Sequence, residues 1–348
     1  MTALLELDNV TKVYGGTLFN RRRTVAVDAI TFSLAAENPT MIALAGESGS
    51  GKTTLANLLL GVINPSEGVV RYKGQEIRKM SRQERKQFRR EVQPIFQDPF
   101  AVYNPFYKAD HLLNVAVSKF KLASSKAEGR KLVEEALGAV GLRPDETIGR
   151  YPHQLSGGQR QRIMVARALL LKPKVILADE PVSMVDASLR ATILESLRSL
   201  NRDMGISILY VTHDLTTAYQ ICQNIVVLYK GTIVESGDVD RVIKDPKHPY
   251  TQLLVKSIPQ LRGIREWEKE GEIRSVDESR ELKGCKFADR CPAVMDVCWK
   301  KVPPSFGVDT HRAVKCFLYD GNPVVESTDV SDTFAPHKRF GAAAAAKG

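Results

Sequence analysis

Four short stretches of this chain carry side chains whose types and spacing suit chemistry. Gly46-Glu47-Ser48-Gly49-Ser50-Gly51-Lys52-Thr53 fits the pattern G-x-x-x-x-G-K-[ST] and lies between an apolar strand and a helical run. Its glycines let successive backbone N–H groups turn inward around phosphate oxygens, and the helix opening near Lys52 presents its positive dipole end to the same place. Lys52 is expected to reach the β- and γ-phosphates of a nucleotide, and the Thr53 hydroxyl to bind Mg²⁺. Gly46, Ser48, Gly49, Ser50, Gly51 and Thr54 complete the expected cradle. The second stretch, Val175-Ile176-Leu177-Ala178-Asp179-Glu180, is an apolar strand ending in two carboxylates. Asp179 is placed to hold the Mg²⁺ shell, and Glu180 to orient and deprotonate a water for in-line attack on the γ-phosphate. Alone, an acidic pair after a strand is usually a helix cap; beside the loop at Lys52 it predicts hydrolysis.

Leu155-Ser156-Gly157-Gly158-Gln159 runs directly into a helical segment, so a serine and two glycines again sit at a helix N-terminus, a second anion site in the same chain. The fourth stretch holds Cys285, Cys291, Cys298 and Cys316, while Cys222 stands apart. A reducing compartment disfavours structural disulfides, so the cluster raises the question of a metal. The spacing C-x5-C-x6-C-x17-C lacks the tight C-x2-C of most structural zinc sites, and Cys291-Pro292 is of the kind found in iron–sulfur runs. Reduced or paired cysteines holding a small tail together are the alternative.

Positioning these groups takes an α/β framework. Leu4–Val10 and Ala29–Leu34 alternate apolar and polar residues, Thr40–Ala45 is an apolar run ending in the glycine loop, and Thr53–Val62 has helical spacing stopped by Asn64-Pro65. Strand, glycine loop and helix in that order predict a parallel sheet with its ligand at the carboxyl ends of the strands. Residues 110–150 are helical in pattern, further apolar strands cover Val175–Ala178 and Ile206–Val211, and a helix lies between them. The basic run Ser81–Arg90 is expected to be a solvated helix face, because it has no aromatic residues interleaved for stacking on bases. Beyond Pro259 the composition shifts to a charged linker over 261–284, then a cysteine-rich extension over 285–320, and residues 321–348 are expected to be a disordered tail.

The chain has 348 residues, 43% hydrophobic and 26% charged, which is the composition of a soluble globular protein rather than a disordered or collagen-like chain. No segment approaches the roughly 18 apolar residues of a membrane helix, and the N-terminus lacks the pattern of a secretory signal, so a cytoplasmic location is expected. The formal charge of +10 leaves nucleic acid, an anionic membrane face and phosphorylated ligands equally open.

The order of glycine loop, Gln97, LSGGQ, ILADE and His213 resembles the ATP-binding subunit of an ABC transporter over nearly all of residues 4–260. The resemblance implies a P-loop NTPase (RecA-like) core sheet within a nucleotide-binding domain over 1–260, with a helical signature subdomain at about 98–160. It implies that Tyr14 stacks on adenine, that Gln97 touches Mg²⁺ and the attacking water, and that His213 contacts the γ-phosphate. Asp186 resembles the aspartate coupling two sites, in Ser183-Met184-Val185-Asp186 where S-A-L-D is commonest. It also implies a head-to-tail dimer in which Ser156, Gly157, Gly158 and Gln159 of one subunit close over ATP held by the other.

His248-Pro249-Tyr250-Thr251-Gln252-Leu253-Leu254, the N-terminal insertion and Gln97-Asp98-Pro99 are similar to the dipeptide/oligopeptide importer branch. That branch implies a paralogous second ATPase subunit, two transmembrane permease subunits, an extracytoplasmic substrate-binding protein, no nucleic acid, and a peripheral place on the cytoplasmic face of the membrane. It also implies a [4Fe–4S] cluster on the four clustered cysteines. Peptides or oligosaccharides are the expected cargo; a soluble ABC ATPase acting on nucleic acid or ribosomes is the alternative.

Overall fold

The structure, a computed structural model, describes residues 3–17, 20–98, 102–183, 185, 187–258 and 283–335. It opens with two long strands, β1 (Ala3–Thr17) and β2 (Asn20–Ala35), paired antiparallel. No crossover helix separates these two strands, so they pair antiparallel. Leu5 and Leu7 of β1 are fully buried while Glu6 and Asp8 face outward, where both accept from Arg71 at 3.0 and 2.9 Å. Arg71 belongs to β4 (Glu67–Tyr72), which with the short β5 (Gln75–Glu76) completes a four-stranded sheet of order β2-β1-β4-β5.

The second sheet has eight strands. Five are mutually parallel neighbours, in the order β9-β3-β8-β7-β6: β3 (Met41–Ala45), β6 (Val92–Ile95), β7 (Val175–Asp179), β8 (Ser207–Thr212) and β9 (Asn224–Tyr229). Parallel strands buried on both faces read as continuous apolar runs, and β3 divides accordingly. Met41, Ala43 and Ala45 enter one core; Ile42 and Leu44 enter the other, shared with the N-terminal sheet. On the β9 side, β10 (Thr232–Asp238), β12 (Arg312–Val314) and β11 (Phe306–Asp309) add antiparallel strands.

Helices α1 (Lys52–Leu59) and α2 (Arg82–Glu91) lie with the N-terminal sheet. The basic run forms α2 as a solvated helix: a capping box closes its start, with Ser81 N–H donating to Glu84 at 2.8 Å, and Phe88 supplies its buried contact. The helical region comprises α3 (His111–Phe120), α4 (Lys126–Ala139), α5 (Pro144–Thr147) and α6 (Gly157–Leu170), packed through Leu113, Val133, Leu137 and Ile163. Then follow α7 (Ala187–Met204), α8 (Leu215–Ile221), α9 (Val239–Lys244), α10 (Pro249–Lys256) and α11 (Asp296–Lys300).

The extension after residue 283 is not a separate appendage. It supplies β11 and β12 to the large sheet, and Phe287 is 1% exposed within the main core. Residues 321–335, placed by sequence in a disordered tail, are folded: Asp329 accepts from Ser33 N–H at 3.2 Å, and the Phe334 ring packs edge-on against Phe32 at 6.2 Å. Apolar anchors at Val330 and Phe334 tie this polar strap to the N-terminal core. Most of the charged linker, residues 259–282, and the terminal residues 336–348 lie outside the described residues.

Candidate active site

Parallel strands deliver their carboxyl ends to one edge, and the chemistry of the chain collects there. The glycine loop follows β3, Gln97 follows β6, Asp179 ends β7 with Glu180 next, and His213 follows β8. Gly46, Glu47, Ser48, Gly49, Gly51, Lys52, Thr53, Thr54, Gln97, Glu180 and His213 line one open cleft of about 690 Å³, with Ala26, Leu254 and Ser257 at its sides. That is a volume suited to a nucleotide-sized ligand.

The loop needs its glycines where backbone crowds it. Gly51, the N-cap of α1, has φ +106, and a Cβ there would stand 2.3 Å from the carbonyl oxygen of Ala26. A Cβ on Gly46 would meet the carbonyl oxygen of Leu228 at 2.3 Å. Lys52 is buried, and its ammonium donates to the carbonyls of Gly46 and Glu47, both at 2.8 Å. Burial lowers its pKa, against the raising pull of Glu180, Asp179 and Glu47. The Ser50 side chain does not line the cleft. It is buried with an unpartnered hydroxyl, and the Ser50 carbonyl accepts from Gly231 N–H at 2.8 Å.

The carboxylates divide their surroundings. Burial, and then the Glu180 charge, raise the Asp179 pKa; a hydrogen bond from the Thr53 hydroxyl works the other way. Glu180 adopts a positive φ of 45, anchored by its N–H donating to the Val211 carbonyl at 2.9 Å. Its Oε2 accepts from Gln97 Nε2 at 2.8 Å, and its Oε1 lies 2.8 Å from His213 Nδ1, which donates. Glutamine, glutamate and histidine from three different strand ends thus meet at one carboxylate.

Not every expected residue joins them. Tyr14 is 44% exposed and does not line the cleft; it pairs with Thr24, two positions along β2 from Ala26, which does. Ser156, Gly157, Gly158 and Gln159 form the capped start of α6, away from the cleft of their own chain. Asp186 lies outside the described residues. Sequence reasoning missed Glu47, whose N–H donates to Tyr250 Oη at 2.8 Å and whose carboxylate accepts both arms of Arg290 at 2.9 and 3.0 Å.

The four clustered cysteines surround one small enclosed space of about 10 Å³, together with His248, Phe287 and Met295. Among the described residues no three His, Cys, Asp or Glu side chains are close enough to hold a single metal ion. The thiols are arranged around a space rather than a point. Backbone N–H groups of Phe287, Ala293 and Leu318 point at Cys285, Cys291 and Cys316, each two residues back, and burial raises all three thiol pKa values, that of Cys316 to about 11.

Strand order, phosphate loop and the acidic strand end define a nucleotide-hydrolysing cassette of the P-loop class. Residues 28–183 match the ABC transporter family, and residues 234–298 match the oligopeptide/dipeptide transporter C-terminal region. The chain belongs to the ATP-binding proteins of ABC transporters, in the branch that carries this C-terminal region. It is 36% identical over 326 residues to the oligopeptide transport ATP-binding protein AppF of Bacillus subtilis, covering 91% of this chain and 97% of that protein. It is likewise 36% identical over 294 residues to OppF of Haemophilus influenzae, covering 84% and 88%. Among solved structures, a dimeric post-hydrolysis state of the ATP-binding cassette MJ0796 with ADP and Pi matches at TM-score 0.60 and 29% identity, over 68% of this chain and 98% of that one.

Proposed function

We propose that this chain hydrolyses ATP to drive an importer of oligopeptides or dipeptides, working peripherally at the cytoplasmic face of a membrane. The convergence of Gln97 and His213 on Glu180, in the cleft that holds Lys52 and Thr53, is the observation that carries the chemistry. The names of AppF and OppF support the cargo class. A soluble ATPase acting on nucleic acid or ribosomes has no such support.

In this reading the loop amides and Lys52 bind the triphosphate, and Lys52 exchanges its carbonyl partners for phosphate oxygens. Glu180 accepts the proton of the attacking water while Gln97 and His213 fix its rotamer. Thr53, Asp179 and Gln97 would hold Mg²⁺, whose part is to neutralise charge across the phosphates. The donors fit: all are hard oxygens, and the half-buried Asp179 beside a second carboxylate gains most from a nearby cation.

Ser156 to Gln159 serve the cleft of a second ATPase subunit, a paralogue, in a head-to-tail dimer, and Asp186 links the two sites. Tyr14 stacks on the adenine. Among the described residues no helix is long and apolar enough to cross a membrane, so the span comes from two permease subunits, with an extracytoplasmic binding protein delivering cargo. For the cysteine module we propose a [4Fe–4S] cluster held by Cys285, Cys291, Cys298 and Cys316. The family resemblance alone supports it: the space between the thiols, about 10 Å³, would hold little more than a water, and the thiols would have to move apart to seat a cluster. Its contribution would be to staple the module.

Two measurements test the reading. Affinity capture from membranes is expected to enrich two multi-span proteins, and Lys52→Ala to abolish nucleotide binding; a protein that captures no multi-span partner is not an importer subunit. Iron and sulfide are expected at about four each per chain, and a colourless zinc protein would overturn the cluster.

A further inference from the structure

The segment between Cys285 and Cys291 places Arg290 on the phosphate loop and its other charged and aromatic side chains on residues beside it. Lys286 pairs with Asp28 at 2.7 Å and donates to the Lys230 carbonyl at 2.9 Å. Asp289 accepts from the Lys230 ammonium at 3.1 Å. Phe287 packs edge-on to Tyr229, with ring centroids 5.1 Å apart, and against Tyr250 at 5.5 Å. Arg290 forks both arms onto the Glu47 carboxylate. These partners grip the loop at two points. Glu47 is its second residue, and its N–H is held by Tyr250 Oη. Gly231, next to Lys230, donates to the Ser50 carbonyl at 2.8 Å and accepts from Asp28 N–H at 3.0 Å.

Glu47 is an awkward residue for this position, because it carries a carboxylate on a residue that lines a cleft meant for a polyanion. Left uncovered, it would repel phosphate and compete for the Lys52 ammonium, which already sits on its carbonyl. A planar guanidinium bound through two parallel hydrogen bonds both cancels that charge and fixes where it points. We propose that Arg290 is a positioning residue for nucleotide binding: acting through Glu47, it neutralises and holds the phosphate loop from the cysteine module, so that the integrity of that module sets nucleotide affinity. This rests on the nucleotide reading of the cleft.

The pair is 38% and 40% exposed on its two sides, which places its worth near the upper end for surface pairs, about 1 kcal/mol or roughly fivefold in affinity. The test uses the full chain and a fluorescent ATP analogue. Arg290→Ala is expected to weaken binding about three- to tenfold, Arg290→Lys by less, and Arg290→Ala combined with Glu47→Gln to recover affinity to within about twofold of the original. A merely structural role for Arg290 would not be rescued by removing the Glu47 charge. Arg290→Gln answers the same question should the alanine variant fail to fold. Unchanged affinity in Arg290→Ala, or no recovery in the double variant, overturns the inference. Lys52→Ala separates the two levels: if that variant binds the analogue as well as the original, the cleft reading fails and takes the inference with it.

Discussion

Replacing Glu180 by glutamine tests the centre of the mechanism with little disturbance of shape. The carboxylate accepts from Gln97 on one oxygen and from His213 on the other, both at 2.8 Å. An amide keeps one acceptor and turns an NH₂ to the second partner, which can adapt: His213 by moving its proton to Nε2, Gln97 by flipping its own amide. Removing the negative charge also relieves one of the causes that raise Asp179. The fold and the nucleotide affinity are therefore expected to survive. What disappears is the group that takes the proton from water. General-base catalysis contributes about 10² to 10⁴ in rate, or about 3 to 5 kcal/mol of barrier. The assay is phosphate release by the assembled transporter beside equilibrium binding of a fluorescent ATP analogue. Turnover should fall by that factor with affinity unchanged within about threefold. Turnover within tenfold of the original would place the base elsewhere. Loss of binding would show that Glu180 holds the site together and does not act on water.

Gly51→Ala is expected to prevent a folded phosphate loop, since its Cβ meets backbone at 2.3 Å, whereas Gly49→Ala has nothing within 4 Å and costs only the left-handed strain of about 1 kcal/mol. Thermal melts and analogue binding of the two variants separate clash from strain. His248 is 1% exposed, accepts from Tyr250 N–H at 3.1 Å and has its pKa pushed down by burial from 6.5 to about 4. The fold thus favours the neutral ring, so its contribution is complete above about pH 6.5 and is lost as pH falls towards 4. That loss is at most about 3 kcal/mol. The melting temperature of the original should drop more steeply over that window than that of His248→Gln. Parallel curves would show that the ring does not titrate against folding.

How much of this was legible in the residues depended on whether a function fixes their spacing. A triphosphate dictates glycines, a lysine and a hydroxyl at set intervals within one turn, so the loop at Lys52 could be read locally, and so could the carboxylates ending β7. The β1–β2 pair could not, because Tyr14, Gly15, Arg23, Thr24 and Val25 are exposed and give no buried pattern to read, and Gly15-Gly16 reads as a break. Arg290 was invisible for a different reason: its partner lies 243 residues away, and no local pattern marks an arginine for a loop that the fold brings beneath it. The strap at 321–335 looked disordered by composition, yet two apolar side chains and hydrogen bonds linking Ser33 to Asp329 and Ser331 seat it.

The signature segment allows one inference the cleft alone does not. Its helix is capped reciprocally: Ser156 Oγ accepts from Gln159 N–H at 3.2 Å, and Gln159 Oε1 accepts from Ser156 N–H at 2.9 Å. A helix start leaves four N–H groups unpaired within the helix, and the box satisfies the first and the last of them. Those of Gly157 and Gly158 have no side chain of their own to accept them and are the natural partners of an anion. Neither glycine lines the cleft of its own chain, and in the head-to-tail dimer proposed above the anion is the phosphate held by the second subunit. Gly157→Asp makes the argument testable, because a carboxylate in the first turn suits the helix by charge and would occupy the anion's place. Affinity of the isolated chain for the ATP analogue should stay within about twofold, while turnover of the assembled transporter should fall by more than about tenfold. Weakened binding in the isolated chain would mean that the segment serves its own cleft, and unchanged turnover would mean that it serves none.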